Sequence, residues 1–408
     1  MTEASWLIGR QPILDREERV TAYELLFRAS HAGRAEVGDP SRATATVILG
    51  ALSGFGVQEV LGGHRGFINV DQELLFSDSL ELLPREVVVL ELLETVKPSA
   101  AVVQRCRDLK AAGFALALDD HRFDAAFEDL YRIVDVVKLD LTISPVETLA
   151  TEVECLRGYP FALLAEKVET RREFQRCLDL GFASFQGYYF ARPALLERRR
   201  IDEAGATLLK LLRLLMCDAE IGEVEGAIRE SPGLTYKLLV LVNSVAMGSR
   251  ERIATLRHAI AMLGRTQMRR WVQLALFTSN DQRGLDDPLV DMAATRAGFM
   301  EQLARCHPGL GSGGDASEQA FMAGILSLLD AIYAISMDDL VKSLNLSEEV
   351  GAALLRREGP LGELLTVVER IERLEIDAAS KQLQALGITQ QDAFEAQRSA
   401  FAWRSRGP

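Results

Sequence analysis

The chain has 408 residues and a formal net charge of −13, from 46 Lys and Arg against 59 Asp and Glu. With 48% hydrophobic and 26% charged residues it reads as globular, long enough for two domains at roughly 100–200 residues each. The acidic balance argues against binding long nucleic acids, no run reaches the ~18 apolar residues of a membrane span, and MTEASWLIGR has no basic n-region followed by an apolar core, so a secretory signal is not expected.

The first half predicts a barrel. Segments 10–15 and 20–27 flank a polar Arg-Glu-Glu-Arg turn and read as a hairpin. Nearly continuous apolar runs follow at 66–71, 87–94, 114–120, 135–140, 161–168 and 185–190, as expected of strands covered on both faces. Segments 99–112 and 171–180 lie between them, with apolar residues at three- and four-residue intervals. Strands alternating with helices imply a mostly parallel sheet, here an eight-stranded α/β barrel of the TIM type with a partly antiparallel start.

Near residue 200 the texture changes, and strand signals vanish after the basic run 197–200. Helical periodicity covers 208–216, 234–245, 253–263, 320–333, 347–357, 361–373 and 390–402. The glycine-rich segment 307–315 reads as a loop and 404–408 as a frayed tail. The expected boundaries are 1–198 for the barrel and 199–408 for an all-α domain. Arg265, Arg269, Arg270 and Trp271 could form a basic-aromatic patch, although a solvated helix face is the expected reading. The Leu-rich stripe at 208–216 is expected in a core or an interface, and Arg198–Arg200 on a linker surface.

Cysteine and histidine usage narrows the chemistry. Cys106, Cys155, Cys177, Cys217 and Cys306 are widely spaced, with no CxxC pair. Buried thiols in a cytoplasmic protein are expected, rather than a disulfide framework or structural zinc. The five histidines contain no HExxH and no pair at helical spacing, so a metal site must rest mainly on carboxylates. Such ligands favour hard cations.

Acidic and amide residues recur at the strand ends: Glu24, Asn69, Glu91 with Glu94, Asp119 with Asp120, Asp140 beside Lys138, Glu166 with Glu169, and Gln186. In a βα barrel these ends converge on one face, where active sites are built. A carboxylate ring there is costly unless a cation sits at its centre. Oxygen ligands from several strands suit one or two Mg²⁺ or Mn²⁺ ions, which could activate water for in-line phosphoryl displacement. The chemistry alone points to a metal-dependent phosphoester hydrolase or a descendant of one.

The same residues carry a family resemblance. Gln11-Pro-Ile-x-Asp15, Tyr23-Glu-Leu-Leu-Phe-Arg28, Ile68-Asn-Val70, Leu90-Glu-Leu-Leu-Glu94 and Leu118-Asp-Asp120 come in order. Val137-Lys-Leu-Asp140, Ala165-Glu-Lys-Val-Glu-Thr170 and Phe185-Gln-Gly-Tyr188 complete the set. Together they resemble EAL domains, the cyclic diguanylate phosphodiesterases, over about residues 5–195. The resemblance implies metal ligands at Glu24, Asn69, Glu91 and Asp119, with Asp120 at a second metal. Lys138 would polarise or position the attacking water. Glu166 and Glu169, grouped with Lys138 as catalytic residues, would complete the metal shell or hold the neighbouring loop. Gln11, Arg28, Glu94 and Gln186 would contact the dinucleotide, with Arg28 as a phosphate clamp.

Three departures bear on activity. The family's Glu-Ala-Leu is Glu24-Leu25-Leu26, and the glycine of its E-G-V-E is Lys167. The stretch written DDFGTGYSSL in active members reads Asp119-Asp-His-Arg-Phe-Asp-Ala-Ala-Phe-Glu128, without the glycines that let it fold tightly. In the family this loop organises metal binding and dimerisation, so a homodimer is one expectation.

In the second half, 234–244 and 253–264 resemble the HDOD domain, an all-helical relative of HD-type metal phosphohydrolases. Where such an enzyme would carry its His-Asp pair stands the stretch Ala320–Asp330, with Ser327 before two leucines, and no His-Asp dipeptide occurs in the chain. His258 and His307 alone cannot build that metal site. The resemblance implies a non-catalytic module that recruits a protein partner. The whole chain resembles a bacterial EAL–HDOD signalling protein. Its rewritten loop favours a degenerate barrel with weak or absent hydrolysis. The retained ligands favour the alternative, a Mg²⁺- or Mn²⁺-dependent phosphodiesterase giving linear pGpG.

Overall fold

A computed structural model describes residues 6–29, 60–143, 146–187, 203–231, 234–235, 238, 242, 255–278, 288–310, 314–332, 336–344 and 346–406. The chain forms two compact units. The first is Met1–Leu195 with Asp286–Pro288 and Glu369–Arg398, and the second is Leu196–Leu285, Leu289–Val368 and Ser399–Pro408.

The first unit contains a closed barrel of eight strands in sequence order. These are β1 (Trp6–Leu14), β2 (Val20–Ala29), β3 (Arg65–Val70), β4 (Val88–Leu92), β5 (Ala115–Leu118), β6 (Val136–Asp140), β7 (Ala162–Glu166) and β8 (Ser184–Phe185). β1 is antiparallel to both β2 and β8, while every pair from β2 to β8 is parallel. The predicted hairpin and crossover units are therefore both present. The run predicted at 185–190 is described only to residue 187.

Strand alternation explains what fills the barrel. Ala22, Phe67, Val89, Ala117, Val136 and Leu164 form one apolar cluster with Ile13. Each lies two residues before a polar strand-end residue (Glu24, Asn69, Glu91, Asp119, Lys138, Glu166), on the same inward face of its strand. Ile13 lies two residues after Gln11 because β1 runs the other way. An apolar layer therefore underlies the polar ring and keeps water from reaching it from below.

Helices follow the crossovers with readable ends. Ser99 caps Ala100–Ala111, its side chain accepting from the Val102 N–H. Thr170 and Glu173 form a reciprocal capping box at Arg171–Leu180, which sets the loop after β7. Gly187 is required by close approach: at φ 151, a Cβ there would lie 2.3 Å from the backbone N and O of Val168. The Val168 N–H donates to Gln186 O at 3.0 Å, tying the end of β8 to the loop after β7.

The segment Glu369–Arg398, expected with the helical domain, packs in the barrel unit. Ile8 pairs with Phe27 on one side, and among the described residues β8 reaches β1 only at Leu14. Gln397 satisfies the peptide groups left open: its Oε1 accepts from the Ile8 N–H at 3.1 Å and its Nε2 donates to Ile8 O at 2.8 Å.

Every regular element among the described residues of the second unit is a helix. Leu208, Leu211, Leu212 and Leu215 of Glu203–Met216 are buried, as a core stripe should be. The helix predicted at 253–263 runs over Leu256–Thr278 with a break at Gly264 (φ 71). Of segment 234–245 only 234, 235, 238 and 242 are described, and Arg198–Arg200 lie outside the described residues entirely. The tail expected to fray is helical to Arg406, and Gly314 opens a helix, so the predicted loop ends earlier.

Pro288–Cys306 has no sequence-level stripe because it is buried on nearly every side, with Asp291, Arg296 and Glu301 inside. Against it packs Gly314–Leu326, where a Cβ on Gly324 would lie 2.8 Å from Ala297 Cα. The expected solvated face at Arg270 and Trp271 is corrected: both are buried. Arg270 donates to Glu301 at 2.8 Å and Glu318 at 2.6 Å, with its guanidinium 4.6 Å from the Phe321 ring centroid. Among the described residues, no helix is long and apolar enough to cross a membrane. All five cysteines are free; Cys106 and Cys177 are buried as expected, whereas Cys155 and Cys217 are exposed.

Candidate functional site

The strand ends converge on Lys138. Its ammonium lies 2.8 Å from Glu166, 3.1 Å from Asp119 and 3.5 Å from Glu24, and donates a short hydrogen bond to Glu91. The lysine side chain and the Glu91 carboxylate are fully buried. Gln186 Nε2 donates to Glu24 Oε2 at 2.6 Å and to Gln11 Oε1 at 2.7 Å, and Asn69 stands 3.5 Å from Glu24. Register explains the neighbours: Gln11 pairs with Glu24, and Asn69 pairs with Glu91.

One ammonium faces four carboxylates, so the ring is short of positive charge. Burial alone would lower Lys138, but Glu91, Glu166, Glu24 and Asp119 outweigh it and hold the ammonium charged. Burial raises the carboxyl of Glu166 to about 7 against the pull of Lys138. Asp119, despite its own burial, is lowered by Lys138.

The acceptors show what is missing. Asn69 Oδ1, Glu91 Oε2, Glu166 Oε2 and Gln186 Oε1 are buried side-chain oxygens without a hydrogen-bond partner. A buried acceptor left open costs about 1–3 kcal/mol, and several converging in one ring fit a hard cation. Glu24, Glu91 and Glu166 can bring one oxygen each within 4.8 Å of one another, and so can Glu94, Asp119 and Asp120.

Asp140 and Lys167 adjoin the ring. Asp140, paired in register with Glu166, accepts from the Thr142 N–H and hydroxyl at 2.7 Å each. Its other oxygen takes a short hydrogen bond from Lys167, whose ammonium also lies 3.9 Å from Asp120. The strand-end pattern did not single out Lys167; its only sequence signal was a lysine in a glycine position.

Not every predicted residue joins the ring. Glu169 is exposed, and among the described residues no hydrogen bond or ion pair joins its carboxylate to the ring; its N–H donates to Glu173. The side chain of Arg28 lies outside the described residues. Glu94 lines a cleft of about 470 Å³ beside Asp119 and Asp120, with Lys97, Arg122 and Phe123.

The loop that lost its glycines is organised by aromatic residues. Tyr131 Oη lies 2.6 Å from His121 Nε2 and accepts from the Asp124 N–H at 2.9 Å. Phe127 meets His121 edge-on at 4.8 Å. The His121 N–H donates to Lys138 O, so the loop is hung from the strand that carries the central lysine.

In the helical unit, Ser327 accepts from Arg296 at 2.7 Å and donates to Gly324 O at 2.6 Å. Both metal-competent carboxylate groups found among the described residues belong to the barrel.

Fold and site define a closed βα barrel with a strand-end carboxylate ring on a buried lysine, followed by a helical module. The EAL domain model matches residues 10–193, and the HDOD domain model matches 206–365. The chain is 32% identical over 405 residues to the cyclic di-GMP phosphodiesterase CdgJ of Vibrio cholerae, covering 96% of this chain and 91% of that protein. It is 29% identical to the uncharacterized protein YuxH of Bacillus subtilis, covering 97% of each. The cyclic di-GMP phosphodiesterase RocR of Pseudomonas aeruginosa matches at 30% over 125 residues, 27% of this chain and 31% of that protein. Among solved structures, the EAL domain of Mycobacterium smegmatis DcpA aligns at 23% identity and TM-score 0.38, over 46% of this chain and 92% of its own. The chain belongs to the family of two-domain proteins that join an EAL domain to an HDOD domain.

Proposed function

We propose that the barrel binds a divalent cation, Mg²⁺ or Mn²⁺, and hydrolyses cyclic di-GMP to linear pGpG. The observation that carries this reading is the set of unpartnered buried oxygens on Asn69, Glu91, Glu166 and Gln186, all facing one ring. Glu24, Asn69, Glu91 and Asp119 would hold the ion, which supplies an acidified water and a counter-charge for the phosphodiester. Lys138 holds the carboxylates in place and orients the water. Glu166 Oε2 is open to receive the water's proton. The oxygen of water would join phosphorus as the ester P–O bond breaks, and the proton taken up by Glu166 would pass to the leaving ribose oxygen.

The cleft beside Asp119 fits the ligand's other needs. Lys97 and Arg122 offer cations for phosphate, and Phe123, 40% exposed, offers a face for a base. Gln11, Gln186 and Glu94 would contact the dinucleotide, and Arg28, whose backbone belongs to β2, would serve as the phosphate clamp that the resemblance implies. The names borne by CdgJ and RocR support the substrate class.

A second reading, a receptor with weak or absent hydrolysis, is favoured by Lys167 and by the glycine-free loop. In either case the helical module recruits a protein partner, the chain acts in the bacterial cytoplasm, and the barrel is the part expected to pair in a homodimer. Full-length protein incubated with cyclic di-GMP and Mn²⁺, beside Glu24→Ala, decides between them. Linear product lost on substitution is expected. No product from the intact protein, with calorimetric binding retained, would establish the receptor instead.

A further inference from the structure

Two groups of carboxylates in the barrel are compact enough for a cation: Glu24, Glu91 and Glu166, and, nearer the cleft, Glu94, Asp119 and Asp120. The two groups are not alike. The inner group keeps open buried oxygens on Glu91 and Glu166. Beside the outer group a cation is already supplied by the chain. Lys167 donates to Asp140, whose side chain is 1% exposed, and stands 3.9 Å from Asp120.

The backbone is bent to allow this. Lys167 has φ 54 and Asp120 has φ 40, both in the left-handed region that favours glycine. Glycine is what the EAL resemblance has in the place of Lys167, so the lysine is held where the backbone does not prefer one. What holds it is charge: its ammonium meets Asp140 and Asp120, while Thr142 occupies the other oxygen of Asp140. An ammonium is a compact unit charge with three donors, and it offers no coordination position and no Lewis acidity.

We propose that Lys167, anchored on Asp140, is a tethered cation that takes the place of a second divalent ion at Asp120, so that the barrel loads one divalent ion. This rests on the proposed cation site at Glu24, Asn69, Glu91 and Asp119. With a single ion, the attacking and leaving oxygens of a displacement are not both clamped by metal, and turnover is slower than a two-ion barrel would allow.

The test is a titration of full-length protein with Mn²⁺ alone, following free Mn²⁺ by its electron paramagnetic resonance signal. One tightly bound Mn²⁺ per chain is expected for the intact protein. Two are expected for Lys167→Gly, which suits the local φ, and for Lys167→Met, which removes only the charge. The lysine side chain is 52% exposed, so neither change disturbs the core. Two ions in the intact protein, or one in both variants, would overturn the proposal and leave the cation site standing. No bound Mn²⁺ in any of the three would overturn the cation site itself.

Discussion

The Tyr131 hydroxyl lies 2.6 Å from Nε2 of His121, across a turn of ten residues that begins beside Asp119 and Asp120. The same oxygen accepts from the Asp124 N–H, so one hydroxyl joins the imidazole to the backbone of the loop. Removing the hydroxyl in Tyr131→Phe leaves both partners unmet. It should cost about 1–3 kcal/mol in urea unfolding. A midpoint equal to that of the intact protein would mean that the loop is held by ring packing alone.

The same pair predicts a pH dependence. Burial lowers the His121 pKa from 6.5 to about 4, against the opposing charges of Glu152 and Asp124. The unfolded chain takes up this proton as pH falls below 6.5, and the native state does not until about 4. Stability from this group is therefore complete above 6.5 and declines by at most roughly 3 kcal/mol between 6.5 and 4. His121→Phe should flatten the stability curve across that window. An unchanged slope would sink the assignment.

Lys138 neutralises a ring that is otherwise all acceptor. Lys138→Met removes that charge and leaves four carboxylates facing one another, which should destabilise the barrel by roughly 3–5 kcal/mol. Added Mn²⁺ should raise the melting temperature of this variant more than that of the intact protein. A variant that melts at the same temperature without metal would show that the ring does not depend on this lysine.

Gln397 closes the open side of β1. Gln397→Ala removes two buried hydrogen bonds to Ile8 and should cost about 1–3 kcal/mol, with faster hydrogen exchange at the Ile8 amide. Unaltered exchange at that amide would refute the bridging role.

The barrel was legible because its signals are local. Covered strands are apolar along their length, crossover helices are amphipathic, and polar residues stand at the strand ends. Period-two alternation then carries most of the way to the site, since Val89 and Glu91, or Val136 and Lys138, must share one face. Pro288–Cys306 was not legible because a helix buried all round has no polar face to give a period. Arg270 read as solvated because its partners, Glu301 and Glu318, lie 31 and 48 residues away. Glu169 and Glu166 looked equivalent as strand-end acids, but β7 ends at Glu166 and Glu169 lies beyond it at the start of a helix.

By itself the sequence determined the barrel, the helical module after it, and the identity of the residues that ring the strand ends. Those are consequences of patterns shorter than one element, where neighbours along the chain settle the outcome. Only the tertiary structure decided which charges meet. It set Lys138 among four carboxylates drawn from four other strand ends, put Lys167 against Asp140 and Asp120, and replaced a glycine loop with the His121–Tyr131 contact. It also brought Gln397 to Ile8 from 389 residues away. Electrostatics and hydrogen bonding depend on distance in space, and no spacing along the chain specifies that.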